Sequence, residues 1–130
     1  MRRFTLTLTL LALSLGLTAC GGGSESSGPP CPEPTETAVA AGGKITVCAY
    51  DIRFGVKTIE AKAGPLAITL VNKGAIAHNF SIEGEDFLLD TPGRGKTATG
   101  TITLEAGTYD FLCTISGHAQ AGMKGKIVVS

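Results

Sequence analysis

Between Lys44 and Ser130 the chain is a succession of short β-type runs, each closed off by turn residues, and few architectures accept that pattern. The runs are Lys44–Tyr50, Val56–Ala61, Leu66–Val71, His78–Ile82, Thr97–Leu104, Thr108–Cys113 and Lys124–Val129. Between them stand Ala63-Gly64-Pro65, Lys73-Gly74, Pro92-Gly93 and Ala106-Gly107, residues that favour turns and cannot extend a ladder or a helix. Pairs such as Ile45/Val47, Ile68/Leu70, Ile102/Leu104, Tyr109/Phe111 and Ile127/Val129 recur at period two, the spacing of half-buried strands. No helical periodicity competes with it. The expectation is an all-β sandwich of seven to eight strands over residues 44–130.

Upstream the chain has two other characters. Arg2 and Arg3 precede a mostly apolar run from Phe4 to Leu17. That run falls short of the roughly 20 apolar residues a membrane-spanning helix needs, so it reads as a signal peptide, residues 1–19. Its end, Leu17-Thr18-Ala19-Cys20, resembles the lipobox of bacterial lipoproteins, which implies cleavage before Cys20 and a diacylglycerol on its thiol. An ordinary signal peptide with an incidental cysteine is the plainer alternative. Residues 20–43 hold four of the six prolines (Pro29, Pro30, Pro32, Pro34) among Gly, Ser, Glu, Thr and Ala, with no apolar period. Such a segment reads as a flexible tether that holds the domain off a membrane.

Composition narrows the function. A chain of 130 residues fits one small domain, and 11 basic against 11 acidic residues leaves no cationic excess for nucleic acid. Removing residues 1–19 takes away Arg2, Arg3 and Met1, which leaves a mildly acidic chain with Met123 as its one methionine. Only two histidines are present, so three-histidine zinc sites and multicopper clusters are excluded. Of the remaining rare residues, Cys113, His118 and Met123 lie together on a loop between two strand-like runs, and His78 begins another run 35 residues before Cys113. Singly, each has a bland reading: a buried small apolar residue, loop histidines, a core filler. Jointly, two imidazoles, a thiolate and a distant thioether are the ligand set of blue-copper electron-transfer sites.

This segment resembles the cupredoxins, the small blue-copper proteins that include plastocyanin, azurin and auracyanin. The resemblance covers roughly Lys44–Ser130. Four residues separate Cys113 from His118 and four separate His118 from Met123, a spacing similar to auracyanin-type loops. It implies a Greek-key sandwich with one copper ion held equatorially by His78, Cys113 and His118, and axially by Met123. It further implies that Asn79 ties the two ligand loops together with Thr114 as its hydrogen-bond partner. Ser116 departs from the proline often found in that loop.

With Cys20 assigned to lipid and Cys113 to metal, Cys31 and Cys48 are left, and leftover cysteines of exported proteins commonly pair. Two unpaired thiols are the alternative. Two apparent motifs are set aside: Gly95-Lys96-Thr97 lacks the upstream glycine of a phosphate loop, since position 90 is Asp90, and Asn79-Phe80-Ser81 is a sequon in a chain read as a bacterial lipoprotein. The expected function is one-electron transfer, not enzymatic catalysis, at a membrane facing the periplasm or the cell exterior. Redox proteins such as cytochromes or membrane electron-transfer complexes are the expected partners, nucleic acid is not, and the chain is expected to be a monomer. Ala75, Ile76, Ala77, Ala119, Ala121 and Gly122 are candidates for the apolar patch where a partner docks. A periplasmic copper chaperone or buffer that supplies an oxidase is the competing reading.

Overall fold

The computed structural model describes residues 29–130. The leader, Cys20 and the start of the tether lie outside the described residues. Ten strands follow in order: β1 (Thr35–Val39), β2 (Lys44–Tyr50), β3 (Arg53–Phe54), β4 (Val56–Ala61), β5 (Gly64–Asn72), β6 (His78–Ile82), β7 (Leu88–Thr91), β8 (Thr97–Leu104), β9 (Gly107–Leu112) and β10 (Lys124–Val129). One sheet has the order β1-β4-β10-β9-β6-β7 and the other β3-β2-β5-β8. Among the described residues no helix is long and apolar enough to cross a membrane.

The alternation read from the sequence is the reason these runs pair. Most of the strands bury at least one face, so two sheets must cover each other. Val47, Ile59, Ile68, Leu70, Phe80, Phe111 and Ile127 are all fully buried in one core. At its centre Phe80 stacks on Phe111, with ring centroids 4.7 Å apart, and Phe54 meets both edge-on at 5.5 and 5.4 Å. Offset and edge-to-face pairings of this kind suit the ring quadrupoles.

Two expectations need correction. The strand count is ten rather than seven to eight, because β1, β3 and β7 escape the hydrophobic pattern. The tether also ends sooner than residue 43. Thr35–Val39 is an edge strand that runs parallel to β4, with Thr35 opposite Val56 and Val39 opposite Glu60. Four of its five residues are exposed and Ala38 alone is part-buried, so backbone pairing and not burial holds it. Just upstream Cys31 is joined to Cys48 of β2 by a disulfide, with a Cα–Cα distance of 5.9 Å. The bridge spans 17 residues, and closing such a loop is worth about 3 kcal/mol in the chain-entropy model. That cross-link keeps a weakly apolar segment beside the sheet it pairs with.

The topology gathers the chemistry at one end of the sandwich. β6 starts at His78, β9 ends one residue before Cys113, and β10 starts one residue after Met123. β9 lies between β10 and β6 in the sheet, so these three positions come together at one end of its strands.

Candidate metal centre

The Cys113–Met123 loop is built from its own backbone. Cys113 N–H donates to the Met123 carbonyl at 3.0 Å, which carries the β9–β10 ladder one pair further and closes the loop at its base. Inside it, His118 N–H donates to Ile115 C=O, Ala121 N–H to Gly117 C=O and Met123 N–H to His118 C=O, each at 3.0 Å. Gly117 (φ 86°) and Gly122 (φ 102°) occupy the left-handed region that lets the chain turn this tightly. His118 is thereby held facing back toward Cys113, with Nδ1 3.4 Å from Sγ.

The second strand of the site is equally fixed. Thr91 of β7 donates its hydroxyl to the His78 carbonyl at 2.8 Å. Asn79 reaches across to the other ligand loop: its Nδ2 donates to Thr114 Oγ1 at 2.8 Å, and Thr114 N–H donates to its Oδ1 at 2.7 Å. The backbone N–H of Asn79 also points at Cys113 Sγ, 3.5 Å away. A donor aimed at sulfur limits how far the side chain can move.

The ligand atoms of His78, Cys113 and His118 all lie within 4.8 Å of one another. The imidazole rings of His78 and His118 sit 5.2 Å apart. His78, Cys113 and Met123 are buried and His118 is 8% exposed. Cys113 is the free cysteine of the described residues. Neither nitrogen of His78 has a hydrogen-bond partner, an expensive state for buried polar atoms that a metal ion would relieve. Soft sulfur with two imidazoles suits copper in both oxidation states, so the donor set fits.

A model of the cupredoxin-like domain matches residues 24–129. The chain belongs to the cupredoxin family. Among curated relatives it is 30% identical to amicyanin of Paracoccus denitrificans over 104 residues, which covers 77% of this chain and 76% of that protein. It is 29% identical over 121 residues to the copper-resistant cuproprotein CopI of Rubrivivax gelatinosus, covering 77% and 73%. Among solved structures, dithionite-reduced auracyanin of the photosynthetic bacterium Roseiflexus castenholzii shares the fold, with TM-score 0.63, 24% identity, and 69% and 98% of the two chains covered. Reduced rusticyanin follows with TM-score 0.57, 27% identity, and 72% and 84% covered. In this cupredoxin His78, Cys113, His118 and Met123 form a compact site of the type 1 kind, and copper is its cofactor.

Several groups that support the site carry no local signature. Asn72, fully buried at the end of β5, donates from Nδ2 to Ile76 C=O at 2.8 Å and to Thr91 C=O at 3.3 Å. Asp51, in the turn after β2, accepts Ala75 N–H at 2.6 Å. Both brace the loop that leads into His78, yet sequence reasoning had no spacing rule that would select them.

Burial holds the His78 imidazole below its ordinary value of 6.5, the neighbouring His118 adds to that, and Asp51 opposes it. The folded, copper-free chain therefore binds this proton less tightly than the unfolded chain. Its stability is full above the unfolded value and falls as pH drops through and below it. Urea unfolding of the copper-free protein should show a lower midpoint at about pH 5 than at about pH 7, with the drop reduced in His78→Asn. Equal pH responses of the two proteins would remove His78 as the cause.

Proposed function

We propose that this cupredoxin is a one-electron carrier, exported through the signal segment 1–19 and held to a membrane by lipid on Cys20, facing the periplasm or the cell exterior. The observation that carries the reading is a buried site of four protein donors at one end of a rigid sandwich. Catalytic metal centres keep an open position, and a site closed by protein ligands has none to offer a substrate. Bound copper supplies a Cu(II)/Cu(I) couple. His78, Cys113, His118 and Met123 would hold it. The paired loops, tied by Asn79 and Thr114, keep these donors from rearranging when the charge changes.

Electrons need a short route to a partner. The His118 ring is the ligand nearest solvent, at 8% exposure, and small apolar residues surround its loop. Ala121 is exposed and Ala119 and Gly122 are part-exposed, while Ala75, Ile76 and Ala77 are exposed on the neighbouring loop. Such a surface lets a cytochrome or a membrane complex approach closely without a large interface, so release stays fast.

The likeness to a copper-resistant cuproprotein favours a second reading, a chaperone or buffer that delivers copper to an oxidase. The buried thiolate argues against it, since release would require breaking a strong soft-ligand bond. Titrating the copper-free protein with Cu(II) should give one equivalent bound, an intense absorption band in the red and full, reversible bleaching on reduction. A colourless, redox-silent copper form rejects electron transfer, and copper exchange as fast as electron exchange moves the reading to the chaperone.

A further inference from the structure

His78 is the ligand with the least complete surroundings. A histidine that holds a metal through one nitrogen normally donates from the other to a carboxylate, carbonyl or water, and that outer partner orients the ring and tunes the metal. Here neither ring nitrogen finds such a partner, although the side chain is buried. What lies beside Nε2 is a glycine. A Cβ built on Gly74 would stand 2.9 Å from His78 Nε2, 2.6 Å from Asp51 Oδ1 and 3.0 Å from the Asp51 amide nitrogen. Asp51 Oδ1 and His78 Nε2 thus both border the space that a side chain on Gly74 would fill, near each other but without a direct hydrogen bond.

Asp51 is held in that place from two directions. Its Oδ1, the atom nearest the built Cβ of Gly74, accepts the Ala75 N–H at 2.6 Å. The turn that carries it is closed by the Tyr50–Arg53 pair, and the next residue, Ile52, has φ 58°. A β-branched residue in the left-handed region costs roughly 1–2 kcal/mol and persists only where the surroundings enforce it. Lys73 and Gly74 N–H both donate to Ala49 C=O, at 2.7 and 3.2 Å, so the two loops are stitched together on either side of the carboxylate.

We propose that Asp51 is a positioning residue of the copper site, its carboxylate acting through space on His78 and favouring the proton on Nε2, which leaves Nδ1 to face the metal. The inference rests on the copper-site reading above and adds a residue distant from all four ligands in sequence. Its negative charge makes His78 a stronger donor and favours the more positive, oxidised ion, so Asp51 lowers the reduction potential. Because Asp51 is exposed, solvent screens part of the effect.

Two measurements test it. In the copper-free protein, nitrogen-15 NMR of the His78 ring should show the Nε2–H tautomer dominant in the parent, with its fraction falling in Asp51→Ala. In the copper-loaded protein, Asp51→Asn and Asp51→Ala should both raise the midpoint potential, while Glu85→Gln, an exposed carboxylate beyond the other end of β6, should leave it in place. An unchanged tautomer fraction together with an unchanged potential overturns the proposal and reduces Asp51 to a clamp on Ala75. If the parent forms no red-absorbing copper complex, the copper reading fails, and the copper-free tautomer measurement still decides the role of Asp51.

Discussion

Replacing Cys113 with serine is expected to leave a folded protein that binds copper poorly and shows no red band. The exchange is nearly isosteric at a fully buried position, so the sandwich persists, with a buried-hydroxyl penalty of about 1–3 kcal/mol. The chemistry does not persist. The thiolate is the form of cysteine that ligates metal, and a serine hydroxyl stays protonated near neutral pH. The Asn79 backbone N–H that points at Sγ would then face a neutral oxygen, and the softest donor of the set would be gone. Losing an outer partner alone costs about 10- to 100-fold in metal affinity, so losing this ligand should cost more than about 100-fold. Competition titration with a colorimetric chelator, absorbance in the red and far-ultraviolet circular dichroism together check the result. A red band of parental intensity in Cys113→Ser would sink the assignment of Cys113.

The largest effect on stability is expected from Phe111→Ala. Phe111 is fully buried, stacked on Phe80 and edge-on to Phe54, and it fills the space beside Gly125 of β10. Truncation removes a ring that the paired strands cannot collapse to replace, at a cost of about 3–5 kcal/mol. That is a large share of the roughly 5–15 kcal/mol that holds a domain of this kind together. Because Phe111 lies two residues before Cys113 on β9, the cavity would loosen the base of the ligand loop as well. Leu88→Ala, at a position 53% exposed, should change stability by no more than about 0.5 kcal/mol. Urea unfolding of the three copper-free proteins measures the contrast, and a cost for Phe111→Ala close to that of Leu88→Ala would contradict the packing described.

The strands and the donors differ in how they could be read. β2, β4, β6, β8 and β10 coincide end to end with runs marked by alternation and turn residues, because a strand with one buried face writes its period directly into the chain. β1 leaves no such mark. It is exposed on most of its length and is held by parallel pairing to β4 and by a disulfide a few residues upstream. β3 and β7, of two and four residues, are too short for a period to show.

Ligand chemistry was legible for a different reason. Two histidines and, beyond Met1, one methionine leave a metal site little choice of donors, and Cys113, His118 and Met123 share one loop whose spacing is local information. The convergence of His78 on that loop is not local. It depends on β9 pairing with β6 on one side and β10 on the other, so that three strand ends meet. Asp51, Gly74 and Asn72 were beyond reach altogether, since an aspartate in a turn, a glycine before a strand and an asparagine at a strand end are ordinary in any β protein. Residue type and period determined the layered fold and the identity of the donors. Only the tertiary structure decided which backbone edges pair and which carboxylate stands near His78, because contacts between segments far apart in the chain are set by packing and leave no pattern within either segment.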